Sequence, residues 1–137
     1  MEPAATYSFE AYESQVDQIW FKFVAAIKKF ARNDNLIGMH LLLDLVREYL
    51  VVEMIGRDVR HATNVHRFGY REELPDAIKL SRIDESDTGR IFDYIGALAS
   101  AYDRKLMENI GNYTSRYRHI SAYLERSRRC LAGDPSP

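Results

Sequence analysis

Residues 36–69, LIGMHLLLDLVREYLVVEMIGRDVRHATNVHRFG, decide how this chain folds. Apolar side chains recur here at helical spacing and cover most of the circumference of a central helix, which we predict over Leu36–Asp58. They are Leu41, Leu42, Leu43, Leu45, Val46, Tyr49, Leu50 and Val52. A helix that is apolar nearly all round is typical of a core position, so we expect it to be the most buried element.

Polar side chains fill the remaining gap of the central helix and form one narrow stripe: His40, Asp44, Arg47, Glu48 and Asp58. Glu53 lies apart from this stripe among apolar side chains, and Arg57, one turn later, is its expected helical partner. The stripe is either a ligand-binding surface or a solvated one. The Glu53–Arg57 pair is either a structural ion pair or part of a site.

The composition is that of one ordinary globular domain. The chain has 137 residues, of which 46% are hydrophobic and 28% are charged, and its formal net charge is −1. Such a charge gives no general attraction to nucleic acid or to anionic membranes. The first residues show no signal peptide, no stretch is apolar enough to span a membrane, and the single cysteine, Cys130, excludes an internal disulfide. We expect a cytoplasmic protein.

Helical periodicity also predicts the elements on both sides of the central helix. A first helix capped by Ser8 extends to Arg32, and the link at residues 32–35 is so short that the first two helices form an antiparallel hairpin. Gly38 is expected to allow close packing of the central helix on the first one.

The second half of the chain predicts a short helix over Pro75–Leu80 and two further long helices. The acidic residues 84–87 open the third helix, which ends near residues 111–112, and Thr114 or Ser115 begins a fourth that reaches Arg129. The chain is thus predicted to be all-α, an antiparallel up-and-down bundle of four main helices plus a short one. It forms a single domain over residues 1–131, followed by a disordered tail over residues 132–137.

Two clusters outside the central helix have both functional and structural interpretations. The loop containing Asn64, His66 and Arg67 is rich in hydrogen-bonding groups, so it either contributes to a site or is a turn that ties the loop to the bundle. The carboxylates at residues 84–87 could hold a metal, but capping of the third helix explains them as well. No glycine-rich phosphate loop, nucleophile elbow or paired-histidine metal motif is present.

The last helix is locally basic, with Arg116, Arg118, His119, Arg126, Arg128 and Arg129. Glu125 interrupts this run, and basic side chains near a helix C-terminus are ordinary partners of the helix dipole. Nucleic acid is therefore not an expected partner.

The series of residues around the central helix resembles the C-terminal helical domain of aminoglycoside 6-adenylyltransferase-like nucleotidyltransferases. It comprises Phe21, Asp34, Leu36, His40, Leu43–Asp44–Leu45, Arg47, Leu50, Met54, Arg57–Asp58, Thr63–Asn64, His66–Arg67–Phe68–Gly69 and Glu73–Leu74–Pro75. The resemblance covers roughly residues 7–129. In that family a separate α/β domain carries a Gly-Ser turn and an Asp-x-Asp pair that hold Mg²⁺ and ATP. This sequence lacks both motifs.

The resemblance implies a substrate-side binding domain without catalytic residues of its own. Its expected ligand is a small cationic molecule such as an aminoglycoside, its expected partner a nucleotidyltransferase catalytic domain, and ATP and Mg²⁺ are expected only with that domain. Carboxylates would bind the ammonium groups, and polar side chains would bind the hydroxyls. The candidate substrate-binding residues are His40, Asp44, Arg47, Glu48, Glu53, Arg57, Asp58, Asn64, His66 and Arg67.

Two alternatives stay open. The helical architecture is also similar to that of HEPN domains, some of which are metal-independent ribonucleases that use an Arg and a His separated by four to six residues. Arg60 and His66 have this spacing, with His66 as general acid or base and Arg60 stabilising the phosphorane. The chain could also be a helical dimerisation module with no chemistry.

Overall fold

The computed structural model describes residues 8–61, 76–79 and 87–131, and these residues are almost entirely helical, with no β-strand among them. The long helices are α2 (Val16–Ala31), α3 (Asn35–His61), α4 (Thr88–Asn109) and α5 (Tyr117–Leu131). A short helix, α1 (Phe9–Tyr12), precedes α2, and a 3₁₀ turn covers Asp76–Ile78. The predicted all-α fold with four long, packed helices is confirmed.

The first predicted helix is divided in two. Ser8 caps α1, because its hydroxyl accepts a hydrogen bond from Ala11 N at 3.0 Å, as predicted. A 3₁₀ turn over Glu13–Gln15 then joins α1 to α2, where the sequence pattern predicts an unbroken helix. The turn leaves Tyr12 3% exposed, so its hydroxyl lies inside the bundle.

Helices α2 and α3 form the predicted antiparallel hairpin. Asn33 takes a left-handed conformation (φ 63°) in the link, and the Asp34 carboxylate accepts from Ile37 N at 3.3 Å to cap α3. A Cβ atom at Gly38 would lie 3.0 Å from the Phe30 ring, so glycine permits this close approach. The prediction for Gly38 is confirmed.

Helices α4 and α5 form a second antiparallel hairpin. Asp87 caps α4 by accepting from Arg90 N at 3.2 Å. At this same open end of the hairpin, Arg128 Nη2 donates to Asp93 Oδ1 at 2.5 Å, and further towards the link Leu124 lies against Gly96. Residues 110–116 form the link between the two helices, and α5 begins at Tyr117 rather than at Thr114 or Ser115.

The four long helices do not alternate in direction along the chain. Asp17 pairs with Arg116, and Val24 and Ile120 line the same groove further along, so α2 and α5 run in the same direction. Since each is antiparallel to its hairpin partner, α3 and α4 also run in the same direction. The up-and-down order predicted from the sequence is therefore wrong for this middle pair. The physical reason is the length of sequence between α3 and α4: a short link forces an antiparallel pair, whereas a separation of this length permits either direction.

The core lies between the four long helices, and it is rich in aromatic side chains from α2 and α4. Trp20, Phe23 and Tyr102 pack as one group, with ring centroids 5.0–5.9 Å apart. Leu42 and Val52 of α3 are fully buried against this core. The expectation that α3 is the most buried element is wrong, however, because Leu36 and Leu43 are exposed beside the polar stripe, and α4 buries a larger share of its residues.

Several predicted features lie outside the described residues. They are the ends of the short helix at Pro75 and Leu80, most of the acidic run at residues 84–87, the loop at residues 62–75 and the tail at residues 132–137. Asp76–Ile78 is helical, as a 3₁₀ turn. No described helix combines the length and apolar character that crossing a membrane requires.

Candidate functional site

The first half of the predicted stripe forms an ion-pair cluster between α3 and α2. Lys22 Nζ donates to Asp44 Oδ2 at 2.5 Å, and Arg47 Nε donates to Asp44 Oδ1 at 3.3 Å. These hydrogen bonds, that from Lys22 above all, hold the pKa of the Asp44 carboxyl below its usual value. The side chains of Lys22 and Asp44 are 28% and 29% exposed, so a molecule in solution can reach both.

Glu48 continues this cluster into the protein interior. Arg47 Nη2 donates to Glu48 Oε2 at 2.7 Å, and Tyr12 Oη donates to Glu48 Oε1 at 3.1 Å. Tyr12 Oη also lies 2.8 Å from Tyr102 Oη. The Glu48 side chain is only 7% exposed and is fully engaged, so it positions Arg47 rather than meeting a ligand directly.

Glu53 lies on the opposite side of α3 and belongs to a different group. It accepts from Tyr49 Oη at 2.5 Å and pairs with Lys105 Nζ of α4 at 3.5 Å. In the described part of the chain it forms no ion pair with Arg57, whose Nε is buried without a hydrogen-bond partner. The expected Glu53–Arg57 pair is therefore wrong: the ammonium that comes close is on another helix, which helical spacing cannot reveal.

The remaining predicted residues lie elsewhere on α3 or outside the described residues. His40 is exposed one turn before Asp44, Asp58 is buried near the end of α3, and Arg60 is exposed directly before its last residue. Asn64, His66 and Arg67 lie outside the described residues, so the proposed convergence of stripe and loop, and the Arg60–His66 pair, stay predictions.

Sequence reasoning missed a buried carboxylate that accepts three hydrogen bonds, Asp103 of α4. It is 5% exposed and accepts from Tyr113 Oη at 2.5 Å, Ser115 Oγ at 2.6 Å and Arg116 N at 2.9 Å. This carboxylate therefore holds the link that leads into α5. Tyr102 belongs to the apolar stripe of α4, and Asp103 follows it directly. A charged residue next to a buried position is the signal that could have identified Asp103.

Burial, complete or partial, shifts the acidity of four hydrogen-bonded tyrosines, and we call them the buried tyrosines: Tyr12, Tyr49, Tyr102 and Tyr113. Burial raises the pKa of each well above its ordinary value, and the neighbouring carboxylates of Glu48, Glu53 and Asp103 add to this rise. They are therefore neutral hydrogen-bonding groups at physiological pH.

A groove of about 360 Å³ lies between α2 and α5, on another side of the bundle. Trp20, Val24 and Ile120 line it together with Phe21, which is 76% exposed, and the Asp17–Arg116 pair lies at its edge. The Trp20 indole N–H does not open into this groove. It is buried near the Tyr113 hydroxyl, without the geometry of a hydrogen bond.

The described residues contain no group of three or more His, Cys, Asp or Glu side chains that could hold a metal ion. The sequence likewise contains no Asp-x-Asp pair, so the residues present do not fit the Mg²⁺ and ATP site of a nucleotidyltransferase. What the arrangement can do is bind cations, because its accessible carboxylate already binds an ammonium group. Comparisons of the chain with protein-family models, with curated proteins and with solved structures found no match.

Proposed function

We propose that this chain is a cation-binding helical module, the substrate side of an aminoglycoside adenylyltransferase-like nucleotidyltransferase, and that a ligand ammonium group binds at Asp44. One observation carries the proposal: the Lys22 ammonium on the Asp44 carboxylate. The cluster thus already holds the functional group that an aminoglycoside would present. The same proposal includes the finer architecture, a substrate-binding bundle similar to HEPN domains.

Asp44 suits this role better than the other carboxylates of α3. Its carboxylate is partly open to solvent, and its lowered pKa extends its ionised form to more acidic pH. Glu48 lies behind it and fixes Arg47, which limits the positions that an ammonium group can take beside Asp44. Glu53 lies on the other side of α3, so one small ligand cannot bind both carboxylates.

The cluster is electrically neutral, and this sets the expected affinity. Asp44 and Glu48 are balanced by Lys22 and Arg47, so no excess negative charge attracts a cation. A ligand has to displace Lys22, which keeps the binding weak unless sugar hydroxyls add further hydrogen bonds. The nucleotidyl transfer itself would belong to a separate catalytic domain, which would supply the Asp-x-Asp pair that this sequence lacks.

Calorimetry with kanamycin tests the proposal on the purified chain and three variants. Asp44→Asn is expected to weaken binding about tenfold or more, because it removes a charge-assisted hydrogen bond. Lys22→Met is expected to strengthen binding, because the internal competitor is gone. Glu53→Gln is the matched control, since Glu53 is also a partly exposed carboxylate paired with a lysine, and it should leave affinity unchanged.

Two outcomes would contradict the proposal. Kanamycin binding that Asp44→Asn leaves intact would place the cation elsewhere. No binding by the Lys22→Met variant, with its helicity unchanged by circular dichroism, would show that the Lys22–Asp44 pair is purely structural. Spermidine, titrated in parallel, measures how much of the affinity comes from charge alone.

A further inference from the structure

The groove between α2 and α5 is a recess in the bundle and not a broad apolar face. Trp20 and Ile120 line it although both are buried, and Val24 lies beside them, half-buried. Phe21 is the one exposed apolar side chain of its described lining. A stable protein interface involves about 20–30 residues on each side, whereas seven described residues line this groove. The recess therefore suits a small molecule better than a protein.

The volume and the lining of the groove are those of a small-ligand site. Its volume of about 360 Å³ falls in the range of about 300–1,000 Å³ that is usual for such sites. These sites are mostly apolar and aromatic, with a few polar groups that orient the ligand. Here the rings of Trp20 and Phe21 supply the aromatic part, and the polar groups belong to Asp17, Arg116 and His119. An aromatic ring with a short chain and one polar end fits this lining.

Arg116 is the lining residue best placed to bind the polar end of a ligand. Its backbone N–H donates to the buried Asp103 at 2.9 Å, and its guanidinium lies over the Tyr113 ring, 6.0 Å from the ring centroid. Nη1 contacts Asp17, while among the described residues Nε and Nη2 have no carboxylate partner. Since a guanidinium presents its donors as a planar fork that matches a carboxylate, a ligand carboxylate can bind Arg116 beside Asp17 or in its place.

The polar lining favours an anionic ligand over a cationic one. The Asp17 side chain is 73% exposed, and an ion pair so open to water contributes little, so Asp17 competes weakly for Arg116. The Arg116 side chain is 38% exposed, which makes its charge the better shielded of the two. His119 adds an imidazole that no carboxylate of the described residues engages, and this ring can donate a hydrogen bond.

We propose that the α2–α5 groove binds a small aromatic carboxylate. The ring of the ligand packs on Trp20 and Phe21, and its carboxylate accepts hydrogen bonds from Arg116 and His119. This site does not depend on the cation site proposed at Asp44. Lys22, the residue after Phe21, contacts α3, so the two sites lie on different sides of α2 and bind opposite charges.

Trp20 provides a direct measurement, because it is the single tryptophan of the chain and it lines the groove. Phenylbutanoate, titrated from micromolar to millimolar concentration, is expected to change the Trp20 fluorescence in a saturable manner. Phenylbutanamide has the same ring and chain but no charge, so it should bind about tenfold more weakly or worse. Phenylbutylamine, which carries the opposite charge, should bind more weakly than either.

Three variants assign the carboxylate to Arg116. Arg116→Gln is expected to weaken phenylbutanoate binding about tenfold or more with unchanged circular dichroism, and Asp17→Asn is expected to strengthen it by removing the competing carboxylate. Arg128→Gln is the matched control on the same helix. Arg128 also pairs with an exposed aspartate, Asp93, and lies over an aromatic ring, but it does not line this groove, so affinity should stay the same.

Four results would overturn the inference. One is the absence of a saturable fluorescence change up to millimolar phenylbutanoate, with calorimetry also showing no binding. Equal affinity for phenylbutanoate and phenylbutanamide is another, because the groove would then bind any apolar molecule. Tighter binding of phenylbutylamine would show that Asp17, and not Arg116, selects the ligand. Affinity that falls with Arg128→Gln but not with Arg116→Gln would place the carboxylate between α4 and α5.

Discussion

Asp103 offers the sharpest test of how this fold is held together. Its carboxylate accepts three hydrogen bonds, two from the hydroxyls of Tyr113 and Ser115 and one from the backbone N–H of Arg116. A hydrogen bond to a charged group contributes about 1.5–3 kcal/mol. The Ser115 hydroxyl is on an exposed residue and regains water when Asp103 is removed, so its loss costs little.

The cost of the substitution therefore comes mainly from two lost hydrogen bonds, those that the Tyr113 hydroxyl and the Arg116 N–H donate to Asp103. Asp103→Ala is expected to lower the free energy of unfolding by about 3–6 kcal/mol, a large share of the usual total of about 5–15 kcal/mol. Asp103→Asn keeps one acceptor oxygen and its shape but loses the charge, so its cost is expected to be about 1.5–3 kcal/mol.

Urea denaturation followed by circular dichroism measures both variants. The control is Asp93→Asn, because Asp93 is an exposed carboxylate on the same helix that pairs with Arg128, and it should change stability by less than about 1 kcal/mol. Equal, small effects of Asp103→Ala and Asp93→Asn would refute the reasoning, since the buried carboxylate would then contribute no more than a surface ion pair.

Three further outcomes are expected. Leu42→Ala should cost about 2–5 kcal/mol in urea denaturation because Leu42 is fully buried, whereas a cost below about 1 kcal/mol would show that the site collapses or that Leu42 is not in the core. Because the buried tyrosines have raised pKa values, the unfolded chain releases their protons near pH 10 while the folded chain keeps them, so stability should fall as pH rises above about 10. Absorbance at 295 nm should then show part of the tyrosine ionising only on unfolding, and full ionisation of the folded chain would contradict this. The purified chain with Mg²⁺, ATP and an aminoglycoside should give no adenylylated product by mass spectrometry, and a product lost on chelation would overturn that expectation.

Local chemistry made much of the fold predictable. Ser8, Asp34 and Asp87 act as helix caps, and amphipathic spacing identified all four long helices, because caps and periodicity depend on residues within one or two turns. The direction of α4 relative to α3 was not predictable in this way. It depends on where a long connection ends, and no short-range pattern records that.

In the candidate site, too, contacts within one helix were predictable from the sequence and contacts between helices were not. Asp44 and Arg47 are three residues apart on one helix, so their contact lies within the reach of a short sequence pattern, and both belong to the predicted stripe. Lys22, Tyr12 and Lys105 come from other helices and became visible only in three dimensions. Leu36 and Leu43 misled the prediction of burial, because hydrophobicity alone does not distinguish a core position from an exposed one.

The arrangement of the two hairpins has a consequence for the integrity of the chain. Each hairpin is closed by a short link, and the hairpins hold each other through packed side chains, the α2–α5 groove and the Glu53–Lys105 ion pair. A break between residues 62 and 87 cuts neither hairpin. Two separately expressed pieces, residues 1–74 and 75–137, are therefore expected to recognise each other and restore the bundle. Such fragment complementation would make assembly depend on the concentration of each piece.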